Sequence, residues 1–169
     1  VKDLPMLVRA MGGMKTRAQL VIVGEGPERE AIQDAIDNMG LEKTVLLPGF
    51  VPDPHRYMGL FDIFALSSKS EQQPIALMEA MAAGLPVAST PVGDVAQMIA
   101  PENLTLISED WNPVQLRDRI EILASHPDVR AALGKANQAR AHALFDEKAM
   151  IAAYAALYAD AVKQPGVLG

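Results

Sequence analysis

The side chains best suited to chemistry are two carboxylates, Glu71 and Glu79, separated by seven residues in the stretch 62–93. Glu71 stands in a polar loop just before a helix. The N–H groups of residues 73–76 (Pro74 has none), at the start of that helix, lack intrahelical acceptors, and such an end attracts anions such as phosphate. A carboxylate there either caps the helix or flanks a bound phosphate ligand. Glu79 is the one charge in a helix made otherwise of Ala, Met, Leu and Ile. A helix apolar all round is normally buried, and an unpaired buried charge is costly. Glu79 therefore marks either a solvent stripe or a contact to a partner or ligand.

These carboxylates need a frame, and the surrounding pattern supplies one. Residues 63–66 are a short apolar run of strand length, broken by the hydroxyls of 67–70. Pro74 suits the first helical position, residues 75–83 are strong helix formers, and Gly84 with Pro86 ends the helix. A strand over 87–89 and a short helix over 94–99 follow. Upstream, residues 4–12 read as an amphipathic helix with Asp3 as N-cap and Gly12-Gly13 as its stop. Residues 19–23 read as a buried strand followed by Gly24-Glu25-Gly26-Pro27. A helix over 27–39, with Ile32, Ile36 and Met39 inside, a strand over 44–47, a loop over 50–54 and a short helix over 55–61 complete that half. Downstream, 104–107 reads as a last edge strand, and helices are expected over 113–124, 127–143 and 147–162. Residues 164–169 read as a frayed tail.

Strands that are continuous apolar runs, alternating with helices, imply an α/β fold: a doubly wound parallel sheet with helices on both faces and a C-terminal helical tail. Ligands of such sheets bind beyond the carboxyl ends of the strands. The loops 24–27, 48–53, 67–74 and 89–93 lie at that edge.

Composition narrows the function. Half of the 169 residues are hydrophobic, enough for a sizeable core, and the net charge is −6 with no basic run. That balance argues against a nucleic-acid or anionic-membrane surface. No apolar stretch approaches the ~18 residues of a membrane span. Without cysteine there are no disulfides and no thiolate metal sites, which fits a reducing cytoplasm. The turn Gly24-Glu25-Gly26 lacks the third glycine of a dinucleotide fingerprint, since Arg29 stands there. His55, His126 and His142 share no ligand spacing, and no Asp-X-Asp pair holds a metal against a diphosphate. A bound diphosphate would thus be met by Lys or Arg and helix N–H groups, with no metal and no cofactor. Trp111, alone before a helix cap, reads as packing. The opening Val1-Lys2-Asp3-Leu4-Pro5, with a helix at once, reads as a piece of a longer protein.

Glu71-(seven residues)-Glu79, followed by Ala80-Met81-Ala82-Ala83-Gly84-Leu85-Pro86-Val87-Ala88 and Val92-Gly93-Asp94, resembles the donor-site signature of the group 1 glycosyltransferases. Leu20 to Pro27, Leu46 to Val51 and the pair Tyr154 and Tyr158 resemble further parts of that family, so the likeness runs over residues 2–162. The family's members are retaining, nucleotide-sugar-dependent enzymes with two Rossmann-like domains, the GT-B fold. The resemblance implies that residues 1–163 are the donor-binding domain and that the acceptor domain lies elsewhere in a longer chain. It implies donor-sugar contacts from Glu71, Gln72, Gln73 and Pro74, with Glu71 and Lys2 as the catalytic pair. It implies phosphate contacts from Lys2 and from the backbone of Ile75, Ala76 and Leu77. Glu79 would accept from the ribose hydroxyls, Gly49, Val51 and Asp53 would form the base-side loop, and Gly24 with Gly26 the glycine turn. A phosphate-binding Arg and the first strand would lie upstream of Val1. Gln72 departs from the family, which commonly has Gly there to admit the sugar. The implied partners are a nucleotide sugar and the acceptor domain. The stripe of helix 147–162 would face that domain or drive self-association, and any membrane association would belong to the absent half of a cytoplasmic enzyme. Three rivals stand: a glycosidase-type carboxylate pair, a nucleotide-sugar epimerase or phosphorylase of the same architecture, and a non-catalytic nucleotide-binding module.

Overall fold

Apolar runs punctuated by Gly and Pro lay down the elements in the expected order. The computed structural model describes residues 1–163, so the expected tail 164–169 lies outside the described residues. The chain runs α1 (Leu4–Met11), β1 (Leu20–Val23), α2 (Arg29–Met39), β2 (Val45–Gly49), a 3-10 helix (Pro54–Leu60), β3 (Phe64–Leu66), α3 (Ile75–Ala82), β4 (Val87–Ser89), α4 (Val95–Met98), a second 3-10 helix (Pro101–Leu106), α5 (Pro113–Ser125), α6 (Pro127–Leu144) and α7 (Glu147–Lys163).

All strand pairing is parallel. β1 pairs with β2, Leu20 opposite Val45, and β3 pairs with β4, Phe64 opposite Val87. The two pairs form separate two-stranded sheets. Because strand side chains alternate between faces, neighbours in β4 enter different cores. Val87 packs with Leu66, Leu77 and Met81 on one face. Ala88 packs with Leu7, Leu116 and Leu123 on the other. The β3–β4 pair is thus sandwiched, with α3 and α6 on one side and α1 and α5 on the other. The β1–β2 pair is covered on one face by α1 and α2 through Val8, Ile32, Ile36 and Val45, while Val23 and Leu46 are exposed. The strand expected to be buried over 19–23 is therefore only half covered.

The edge strand expected over 104–107 is instead a 3-10 helix, joined to β4 by one bridge between Ser89 and Ile107. The cause is Asn103. Its amide sits where a strand would: Oδ1 accepts from Val87 N–H at 3.0 Å and Nδ2 donates to Val87 C=O at 2.7 Å. Asn137 completes the buried network, donating to Asn103 Oδ1 and Leu85 C=O and accepting from Ala100 N–H.

Several helix starts differ from expectation. Asp3 has φ +46° and caps nothing with its side chain; its carboxylate pairs instead with Lys69 at 2.9 Å. Pro27 precedes α2 by a turn in which Arg29 N–H donates to Gly26 C=O. Pro74 is the N-cap of α3 and not its first residue. Met39 is exposed at the end of α2, where Gly40 adopts the left-handed conformation that stops the helix. Asn112 caps α5 as its type suggests, accepting from Val114 N–H. On α7, Met150, Tyr154, Leu157 and Tyr158 are all exposed, and the two tyrosine rings stack 6.5 Å apart. Among the described residues no helix is long and apolar enough to cross a membrane.

Candidate active site

The site is assembled where the first residues of the chain meet the loop after β3. Lys69 N–H donates to Val1 C=O and Ser67 Oγ donates to Lys2 C=O, both at 2.9 Å. With the Lys69–Asp3 pair, these bonds fasten residues 1–3 against the carboxyl end of β3. They bring the Lys2 ammonium onto the Glu71 carboxylate. Ser68 Oγ donates to the same carboxylate oxygen at 2.8 Å. Burial would push the Glu71 carboxyl up. The hydrogen bonds from Lys2 and Ser68, with the Lys2 charge, outweigh it and hold the group below its ordinary value of 4.5. Glu71 is thus an ionised, doubly anchored acceptor, and it does not cap α3, which has no side-chain cap.

Gly93 locks this loop from the other side. Its φ is +49°, and a Cβ there would lie 2.6 Å from the Gln72 carbonyl oxygen. Only glycine fits such an approach. The next residue, Asp94, takes its place through two bonds: its N–H donates to Gln72 C=O at 3.0 Å, and its carboxylate accepts from Gln73 Nε2 at 3.1 Å. Gln72 is therefore fixed at its backbone while its side chain is exposed.

At the start of α3, Pro74 has no N–H to offer. Leu77 N–H donates to Pro74 C=O, and Leu77 is fully buried. Leu77 thus does not present the free donor expected of it. Among the described residues nothing accepts from Ile75 or Ala76 N–H, and both residues are exposed. Within α3 itself the free donors are these two, at the positive end of a helix.

Lys2 also lines a cleft of about 570 Å³ with Val23, Gly24, Gly26 and Pro27, walled by the Glu25–Arg29 ion pair at 2.9 Å. Gly24 N–H donates to Gly49 C=O, which joins the glycine turn to the expected base-side loop. In that loop Val51 is half-buried and Asp53 is exposed, with Arg56 3.6 Å away.

Glu79 stands apart from this cluster. It lines a second cleft, of about 300 Å³, with Met78, His142, Phe145 and Asp146, and its carboxylate has no partner among the described residues. The helix carrying it is not buried all round, as Ile75, Ala76 and Ala82 are exposed. Glu79 lies on that outward stripe.

The structure brings Lys2, Glu71, Gln72, Gln73, Pro74 and the glycine turn to one edge and places Glu79 one turn along α3. It adds residues that were given no role in the site from the sequence: Ser68, Thr90, Asp94 and Trp111. The hydroxyls of 67–70 read as a strand break, yet Ser67 and Ser68 are buried. A serine three residues before a carboxylate was the available signal for Ser68. Trp111, expected as packing, is 45% exposed and donates its indole N–H to Ser68 C=O at 3.1 Å. Among the described residues no group of three or more His, Asp or Glu converges as a metal would require.

Residues 1–140 match the family model described as glycosyl transferases group 1. The chain is 25% identical over 165 residues to N-acetyl-alpha-D-glucosaminyl L-malate synthase of Bacillus anthracis, covering 96% of this chain and 43% of that protein. It is 26% identical over 157 residues to the lipopolysaccharide core biosynthesis glycosyltransferase LpsD of Rhizobium meliloti, covering 93% and 46%. The chain thus spans less than half the length of these relatives. Among solved structures, sucrose-phosphate synthase of Thermosynechococcus elongatus superposes with a TM-score of 0.87 at 25% identity, covering 96% of this chain and 43% of that one. HepE of Anabaena in complex with UDP superposes with a TM-score of 0.86 at 21% identity, covering 94% and 45%, a likeness of fold. With the α/β architecture, the Glu71 to Gly93 unit and the matched residues in agreement, the chain belongs to the group 1 glycosyl transferases, enzymes of the GT-B fold.

Proposed function

We propose that this chain is the donor-binding half of a retaining glycosyltransferase that moves a sugar from a nucleotide diphosphate to an acceptor. The observation that carries the reading is the meeting of the Lys2–Glu71 pair with the uncapped start of α3 at the carboxyl edge of the strands. An ammonium and two free N–H groups suit a diphosphate, and a fixed carboxylate beside them suits sugar hydroxyls. Donor binding would exchange the Lys2–Glu71 contact for contacts to ligand, Lys2 turning to the diphosphate and Glu71 accepting from the sugar.

In the reaction proposed, the bond between the anomeric carbon and the diphosphate oxygen breaks as the acceptor oxygen attacks from the same face, and the acceptor's proton passes to the departing diphosphate oxygen. Lys2 and the N–H groups of Ile75 and Ala76 stabilise the charge on the leaving diphosphate without a metal. Glu79 takes the ribose hydroxyls. A glycosidase reading fits less well. It needs two carboxyls flanking one scissile bond, and Glu79 lines a cleft of which Glu71 is not part. The acceptor domain, and the surface that α7 covers, are assigned to the part of a longer polypeptide that would match the remaining length of the relatives.

The test is a calorimetric panel of UDP, GDP, ADP and their sugars, with UDP first because HepE was solved with it. One nucleoside diphosphate should bind. Glu79→Gln should weaken nucleotide and nucleotide sugar alike by about 1–3 kcal/mol, the scale of hydrogen bonds to a charged group. Glu71→Ala should weaken the nucleotide sugar alone. Transfer needs the acceptor oxygen within about 3–3.5 Å of the sugar carbon, so residues 1–169 alone should transfer no sugar. No binding across the panel, or robust transfer by this chain alone, overturns the reading.

A further inference from the structure

We infer that Trp111 is a positioning residue that sets the Glu71 carboxylate through Ser68; its consequence for the donor sugar rests on the function proposed above. Ser68 is fully buried, and its carbonyl accepts two side-chain hydrogen bonds, from Trp111 Nε1 at 3.1 Å and from Thr90 Oγ1 at 2.8 Å. Turning that carbonyl away would break both bonds and leave a buried acceptor unmet. The peptide orientation so fixed aims the Ser68 hydroxyl at Glu71 Oε1, 2.8 Å away.

The backbone that carries the indole is itself held by hydrogen bonds. Ser108 N–H donates to Ser89 C=O at 2.7 Å, and Gln115 Oε1 accepts from Glu109 and Asp110 N–H at 2.9 and 3.1 Å. Trp111 N–H donates to Asp110 Oδ1 at 2.7 Å, and Asn112 caps α5 immediately after. Packing alone does not account for the residue, because nearly half of its surface faces solvent while its one polar atom points inward. The β4 and α5 layers therefore reach the loop after β3 through two donors, Thr90 and Trp111. Both act on Ser68, and Ser68 acts on the carboxylate.

Trp111→Phe keeps an aromatic, though smaller, side chain and removes the donor; Ser68→Ala removes the next link. The first readout needs no ligand: titration of the Glu71 side-chain carboxyl by carbon-13 NMR. Both variants should raise its midpoint relative to wild type, and Trp111→Phe added to Ser68→Ala should raise it no further. The second readout is calorimetry with UDP and UDP-glucose. Trp111→Phe should weaken UDP-glucose about three- to tenfold, the worth of one hydrogen bond, and leave UDP within about twofold, an effect absent in a Glu71→Ala background. An unchanged Glu71 midpoint in a folded Trp111→Phe protein overturns the inference, as do additive shifts in the double variant. If the midpoints move as expected while Glu71→Ala leaves UDP-glucose unaffected, the positioning role stands and the donor-sugar reading falls.

Discussion

The two strand pairs are built alike and covered differently. β3 and β4 have helices on both faces, and Leu77, Met81, Val87 and Ala88 are fully buried between them. β1 and β2 are covered only by α1 and α2, and Leu46 on the opposite face is 42% exposed. The polar groups divide in the same way. Ser67, Ser68, Ser89, Thr90, Asn103 and Asn137 are all buried in or beside the β3–β4 half, whereas the glycine turn and base-side loop of the β1–β2 half are mostly exposed. Buried polar groups that are fully paired fix one geometry. The sealed half therefore supplies the precision of the Glu71 loop, and the open half supplies an accessible cleft beside Lys2.

Cavity formation should break this comparison most sharply. Leu77→Ala in the sealed half should lie near the upper end of the range for such truncations, about 4–5 kcal/mol, because nothing can collapse into the space. Ile36→Ala in the open half should cost about 2–3 kcal/mol, because its surroundings relax and admit water. Denaturant unfolding of both variants compares them, and equal or reversed costs would mean that the halves are equally rigid.

Asn103→Ala comes next. It strands the Val87 N–H and C=O and one Asn137 N–H in a buried place, at roughly 1–3 kcal/mol for each unmet group. A total of about 3 kcal/mol should appear as a fall of roughly 10 °C in Tm. A cost below about 1 kcal/mol would show that water or relaxation replaces the amide.

A smaller effect is tied to pH. Glu71 has a folded pKa below its ordinary value of 4.5, so the stability it contributes is fully present above that value. It is lost as pH falls through the folded pKa. Lys2→Met should remove part of it, so wild type and variant should differ at pH 7 and the gap should close as the pH falls below 4.5 and through the folded pKa. The Lys2 side chain is half exposed, and salt will shrink the difference. A gap that widens on acidification would contradict the sign of the shift.

The smallest effect belongs to the open face of β2. Leu46→Ser should change stability by no more than about 0.5 kcal/mol, as at an ordinary surface site. A loss above about 1.5 kcal/mol would mean that this face is covered in solution, and sedimentation at several concentrations would tell whether a second copy covers it.

The order of strands and helices was legible because it is local. Apolar period, helix formers and Gly or Pro stops act within a few residues, and the stops at Gly40 and Gly84 stand where the dihedrals require them. The parallel α/β class followed from alternation, and Glu71 and Glu79 were conspicuous as charges out of place. What local pattern could not carry was pairing across the chain. Lys2 meets Glu71 over a separation of 69 residues, Trp111 meets Ser68 over 43, and Asn137 meets Asn103 over 34. No period marks such partners, because they are decided by which loops the packed layers bring to the same edge. The same reason defeated the expected strand over 104–107. Its residues suit a strand, but the Asn103 side chain, positioned by α6 through Asn137, already occupies the β4 backbone that such a strand would pair with.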